Sequence, residues 1–212
     1  MAVRPVANVY TDGFNLYYGA LKNTPYKWLN VRHLCELVLP EHDIGKISYF
    51  TARVKARPDD PQAPARQQAY LSALGSIPPM DIVFGQFFVS NVRMPVANSL
   101  TNPRTVEVVK TEEKGSAVNL AAHLLLDAFR READLFAVVS NDSDLTEPLR
   151  IVREELGRNT ALVNPHKSTS RSLLRCHPSL VRQIRQGALS ASQFPHDVIL
   201  PGGRTVHKPG GW

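Results

Sequence analysis

Apolar positions fall into short runs separated by turn residues, and their spacing switches repeatedly between strand and helix periods. Val6–Thr11 alternates weakly and ends at Asp12-Gly13, which predicts a strand and a turn. Phe14–Leu21 reads as a short helix before a turn at Pro25, and Asn30 is placed to cap a helix over Val31–Leu39 that Pro40 stops. Ile44–Val54, rich in Ile, Tyr, Phe, Thr and Val, predicts a second strand. Lys55–Ala65 carries three prolines and the Asp59-Asp60 pair, so it is expected to be an exposed loop. Arg66–Leu74 then predicts a helix closed by Gly75.

In the second half, Asp81–Ser90 predicts one strand, Asn91–Pro103 a loop or disordered segment, and Thr105–Lys110 a further β-branched run. Ser116–Arg131 is the clearest helix, because Val118, Leu120, Ala121, Leu124, Leu125 and Ala128 form a broad apolar stripe. Leu135–Val139 reads as a buried strand, Leu145–Leu156 as a helix ended by Gly157, and Thr160–Val163 as the last strand. Asn164-Pro165 turns into a basic region expected to be helical over Ser170–Gly187. The chain after Ser192 is expected to be an extended tail packed on the surface. Strands alternating with helices imply an α/β three-layer sandwich around a mainly parallel sheet. The expected organisation is one domain over residues 1–165, with residues 166–212 as a basic C-terminal helical extension and tail packed on it. No internal repeat is visible.

At 212 residues, 43% apolar and 21% charged, the chain is an ordinary globular protein large enough for one well-buried domain. Cys35 and Cys176 lack metal-ligand spacing and suit a reducing compartment. The first residues are too short and interrupted for a signal peptide, and no apolar run approaches the roughly 18 residues of a membrane span. A cytoplasmic location without a membrane partner is therefore expected. Charge is uneven: residues 150–212 hold ten Arg/Lys against three acids, while residues 1–149 hold fifteen against sixteen. A basic third beside acidic motifs suits a polyanion-processing enzyme, although a solvated charged face would look the same.

Three acidic motifs sit where β-like runs give way to helices: Tyr10-Thr11-Asp12-Gly13-Phe14-Asn15, Lys110-Thr111-Glu112-Glu113-Lys114-Gly115, and Ser140-Asn141-Asp142-Ser143-Asp144. In an open α/β sheet such strand ends converge on one crevice, and gathered carboxylates make a hard-cation site. Asp12 would face that crevice, and Asn15 could point back from the first helical turn toward a phosphate or water. The competing reading makes Asp12 a turn or cap residue. Asp142 and Asp144 could share a cation, with the Ser140 hydroxyl near a bound phosphate, or Asp142 could simply cap a helix. Glu112 reads as a helix-dipole partner. Glu113 would share a helical face with position 117 if that helix began early. The residue there is Ala117. Trp28 and Trp212 read as packing anchors. The pairs His33/Cys35 and Cys176/His177 lack an orienting acid, and no GxGxxG or Walker motif occurs.

These residues resemble the NYN family, the PIN-like domains that include LabA and DUF88 bacterial proteins. The likeness rests on YTDGFNLYYGA (10–20), KTEEKGSAVNLAAHLLLDAF (110–129) and SNDSDLTEPLRIV (140–152), in the right order, across most of residues 5–165. It implies a PIN-like Rossmannoid fold and a metal-dependent ribonuclease-type centre, with Asp12 and Asn15 matching the first motif and Asp142 and Asp144 the third. Relatives typically carry Lys-Gly-[Ser/Thr]-Asp-Val in the second motif. Here Lys114-Gly115-Ser116-Ala117-Val118 has alanine where that aspartate belongs. An isolated aspartate-to-alanine change, engineered or natural, is the simplest account.

The expected activity is hydrolysis of RNA. Asp12, Asp142 and Asp144 would hold Mg²⁺ or Mn²⁺, Asn15 and Ser140 would position the scissile phosphate, and Lys114, Arg171 and Arg175 would hold flanking phosphates. Ala117 would weaken the site. Two alternatives stand beside it: a catalytically dead RNA-binding or scaffold protein, and a pyridine-ring hydroxylase of the 6-hydroxy-3-succinoylpyridine monooxygenase type, a name some relatives carry. RNA is the expected partner, and homo-oligomerisation is left open.

Overall fold

The structure is a computed structural model describing residues 3–97 and 104–212. The chain opens with β1 (Val6–Asp12) and α1 (Gly13–Leu16), which runs on as a π-helical turn at Tyr17–Leu21. Then come α2 (Val31–Val38), β2 (Asp43–Thr51), α3 (Ala63–Leu74), β3 (Met80–Phe84), β4 (Gln86–Pro95) and β5 (Thr105–Lys114). The long helix α4 (Ser116–Arg130) leads into β6 (Leu135–Val139), a 3₁₀ turn at Ser143–Leu145, α5 (Thr146–Arg150), a π turn at Ile151–Glu155 and β7 (Asn159–Asn164). The chain continues through α6 (Arg171–Leu174), β8 (Leu180–Gln183), α7 (Gln186–Ala191), β9 (Asp197–Ile199) and β10 (Thr205–His207).

Six strands form one parallel sheet in the order β3-β2-β1-β6-β7-β8. Period-two alternation sends Ala7, Val9, Ala137 and Val163 to one face, where Trp28, Leu34, Leu71, Leu74 and Leu189 cover them. Tyr10, Phe136, Val138 and Leu162 point the other way, into Leu120, Leu124, Leu149 and Leu173. The expected three-layer α/β sandwich is thus present. From β1 the chain winds outward to β2 and β3, then returns to β6 and winds the opposite way. The strand order therefore reverses between β1 and β6, and in open α/β sheets that reversal opens a crevice beyond the strands' carboxyl ends.

Three stretches depart from the expectations. Asp81–Ser90 is two strands, not one. Pairing with β2 ends at Phe84, and Gln86 begins an antiparallel hairpin in which β4 pairs only with β5. Gly85 sits at the break and has to be glycine: a Cβ there would strike the Glu113 carboxylate and lie 2.7 Å from the Lys114 carbonyl. The β5 strand also continues through Thr111–Lys114, and the segment expected as a loop is strand up to Pro95, while residues 98–103 of it lie outside the described residues. Ser170–Gly187, expected to be helical, holds one helical turn and then β8. His177 adopts a positive φ of 50° before Pro178, which ends the helix and turns the chain onto the open edge of β7. The tail forms the β9–β10 hairpin, and Trp212 packs its ring 5.8 Å from Tyr70 and 6.5 Å from the fully buried Trp28.

Candidate active site

Asp12 is the last residue of β1 and Ser140 follows β6 directly, so the strand reversal brings the first and third acidic motifs together. Asp12 is buried, at 8% exposure. One carboxylate oxygen accepts the Asn15 backbone N–H at 3.0 Å, and the other accepts the Ser140 hydroxyl at 3.1 Å. The same Ser140 oxygen accepts the Asp142 N–H at 3.1 Å. Asp142 in turn caps the 3₁₀ turn by accepting the Asp144 N–H at 3.0 Å. The capping readings of Asp12 and Asp142 are therefore realised, and they coexist with clustering: a carboxylate offers about four acceptor sites, more than these contacts use.

Asn15 ties the two motifs a second time. Its side-chain oxygen accepts the Asn141 N–H at 2.8 Å and lies 3.1 Å from His166 Nε2. Asn141 reaches onward, donating to the Ser168 carbonyl and accepting the Ser170 N–H at 2.7 Å. Sequence reading missed His166 and Asn141. Asn141 lay inside a quoted motif, whereas His166 had only its place after Asn164-Pro165, at the end of β7, as a signal.

Electrostatics single out Asp12. Burial pushes its carboxyl above the usual range, the hydrogen bonds from Asn15 and Ser140 pull against that, and the nearby Asp142 charge pushes it up further. Among the described residues, the groups that favour its ionised form are the neutral donors of Asn15, Ser140 and Phe14, with no cation among the main influences on this buried carboxylate. That is the environment a divalent cation would complete. The Asp142 charge is near enough to act on Asp12, and the exposed Asp144 follows two residues later in the 3₁₀ turn. The three do not form a tight cage: among the described residues, the trio whose ligand atoms all lie within 4.8 Å of one another is His196, Asp197 and His207. A Mg²⁺-type ion keeps several waters and is held through one or two carboxylates, so it does not require a tight cage.

The second motif is arranged differently from its expectation. Glu113 lies on β5 and does not share a helical face with Ala117; α4 begins only after Gly115, whose φ is 99°. The Glu113 carboxylate caps that helix, accepting the Ser116 N–H at 3.1 Å and the Ser116 hydroxyl at 2.8 Å. Glu112 pairs with Lys110 at 2.8 Å on the exposed hairpin. Ala117 sits half-buried in the first turn of α4, which starts beside Gly85 at the same carboxyl-end edge of the sheet. Lys114 is exposed, its ammonium 6.0 Å from the Phe88 ring. Arg171 opens α6 directly after the Ser170 contact to Asn141, and Arg175 follows its last residue; both are exposed, and Arg175 donates to the Ser172 hydroxyl.

Beside Asp12 opens a cleft of about 980 Å³. Its floor is Gly13, Phe14 and Tyr49, and its far wall is the β4–β5 hairpin with Phe87 and Val109. Phe14 meets Phe87 edge-on at 5.5 Å. Lys22, Lys27, Lys55, Arg57 and Arg66 line it together with Asp59, Asp60 and Glu113, and Arg66 is paired with Asp60.

Comparison with known proteins bears on the fold and the family. The chain is 28% identical over 236 residues to a Pseudomonas putida protein named 6-hydroxy-3-succinoylpyridine 3-monooxygenase, covering 96% of this chain and 74% of that protein. A crystal structure of a protein of unknown function from Vibrio parahaemolyticus superposes with a TM-score of 0.55 at 12% identity, covering 88% of this chain and 98% of the other, a likeness of fold alone. The family model of the NYN domain matches residues 7–181, a span that runs from β1 into β8 and holds the whole acidic cluster. The chain belongs to the NYN domain family.

Proposed function

We propose that the protein is a metal-dependent ribonuclease whose centre is weakened by Ala117. The observation that carries this reading is the buried Asp12 carboxylate at the strand reversal, hydrogen-bonded by neutral donors and facing Asp142. Asp12, Asp142 and Asp144 would hold Mg²⁺ or Mn²⁺, which when bound supplies Lewis-acid activation and neutralises charge on a phosphate. The chain's own residues do the rest. Ser140 fixes the Asp12 carboxylate, Asn15 is locked by Asn141 and His166, and Lys22, Lys27 and Arg57 attract the polyanion into the cleft. Lys114, Arg171 and Arg175, all exposed, would meet flanking phosphates.

The test is Ala117→Asp. With Mn²⁺ and a single-stranded RNA, that variant should cleave about 100-fold or more faster than the unaltered chain, since a lost ligand costs several kcal/mol of charge stabilisation. If neither protein cleaves RNA nor binds Mn²⁺, the reading fails.

One observation favours a second reading. The walls around Tyr17, Tyr49 and Phe87 could accept a flat heteroaromatic ring, as the name of the Pseudomonas relative suggests for that protein. NADH consumption with a hydroxypyridine, absent from an Asp12→Asn control, would support it over the nuclease.

A further inference from the structure

The C-terminal hairpin carries a group of side chains that the acidic crevice does not use. His207 on β10 lies directly across the ladder from Asp197 on β9, and His196 precedes Asp197 in the chain. Asp197 Oδ1 lies 2.5 Å from His196 Nδ1 and 2.8 Å from His207 Nδ1, and the two imidazole rings are 6.3 Å apart. All three are well exposed, with side chains at 74%, 57% and 66%, so no core packing requires two imidazoles to converge on one carboxylate.

We propose that His196, Asp197 and His207 form a surface site for a divalent transition metal of the Zn²⁺ class. Two imidazoles and one carboxylate are a borderline donor set, suited to Zn²⁺ or Co²⁺ and poorly suited to Mg²⁺, which prefers oxygen. Three protein ligands leave the remaining positions to water. The site belongs to a different chemistry from the all-oxygen cluster at Asp12 and is independent of it.

Its position gives it a structural role. The preceding Pro195 carbonyl accepts the Trp28 indole N–H at 2.8 Å, and Phe194 packs 5.7 Å from the same ring. Beyond β10 the chain runs to Trp212, which closes over Tyr70 and lines the cleft beside Asp12. A metal joining residue 196, β9 and β10 would clip this short hairpin, of three residues per strand, at its base. It would thereby fix the segment that leads to the cleft wall.

The test uses the 212-residue chain without a histidine tag, stripped with a chelator and titrated with Co²⁺. One equivalent should bind with visible ligand-field absorption, and Zn²⁺ should displace it. His196→Ala and His207→Ala should each weaken this absorbing species at least tenfold, while His33→Ala, an exposed histidine outside the trio, should leave it unchanged. Zn²⁺ should also raise the Tm of the unaltered protein but not of the double histidine variant; circular dichroism would verify that these exposed substitutions leave the fold intact. The same ligand-field absorption surviving in the double histidine variant, its loss in His33→Ala, or no Co²⁺ absorption at all would each overturn the proposal.

Discussion

The Ser140 hydroxyl donates to Asp12 across the β1–β6 boundary at 3.1 Å, joining residues 128 positions apart at the one place where the strand order reverses. Because the same oxygen accepts the Asp142 N–H, Ser140 sets the spacing of two carboxylates that would otherwise repel each other. Ser140→Ala leaves that buried carboxylate oxygen and that N–H unpaired, at a cost of about 1–3 kcal/mol. Urea denaturation should show the loss. In the Ala117→Asp background the acid limb of the pH–rate profile should move to higher pH, because a donor that favours ionised Asp12 is gone.

Asp12 itself should weaken the metal-free fold at neutral pH. Its folded-state carboxyl sits above the ordinary range, so the stability linked to its proton is present below the unfolded value and is lost as pH rises through the folded one. Asp12→Asn removes that penalty while keeping an acceptor for the Asn15 N–H. Without added metal, the variant should melt higher than the parent at pH 7, and the gap should close as pH falls below the ordinary carboxylate value of about 4. A variant that melts lower at pH 7 would contradict the burial argument.

Gly19 offers a probe of His166 at a distance from the carboxylates. A Cβ at Gly19 would lie 2.7 Å from His166 Nε2, so Gly19→Ala must push the imidazole off Asn15. In the Ala117→Asp background, this change and His166→Ala should both lower kcat more than they alter KM, since Asn15 loses one of two partners while the cleft stays intact. Equal falls in kcat for an unrelated surface variant would remove the case for His166.

The cleft residues should govern affinity instead. Phe87→Ala should weaken single-stranded RNA binding by about 1–3 kcal/mol if a base stacks there. Replacing Lys22 or Arg57 by Ala should lower the salt dependence of log Kd by about one unit for each phosphate that is no longer neutralised. Fluorescence anisotropy across a salt series measures both effects.

Much of this arrangement was legible in the chain. Local signals sufficed for β1, α2, α4 and β6, where period, cap and stop residues agree, and the strand-end positions of Asp12 and Ser140 followed from them. What was hidden depends on pairing between distant residues. The composition of DIVFGQFFVS suits a strand throughout, and the break falls at Gly85, where the lack of a side chain admits the Glu113 carboxylate and the Lys114 carbonyl. Residues 180–183 carry charge and amide at Arg182 and Gln183 and lacked a strand signature, yet the open edge of β7 recruits them. His166 could not be found from sequence spacing, since its partner Asn15 is 151 residues away.

The break at Gly85 also separates what must be conserved in geometry from what is free to vary. The β4 and β5 strands pair only with each other, so their length sets the height of the cleft wall without touching the register of the six-strand sheet. Residues can be added to or removed from that arm while Asp12, Ser140 and Asp142 stay in place. The hairpin is thus the part of the molecule through which this scaffold can change what enters the cleft while keeping the centre that awaits it.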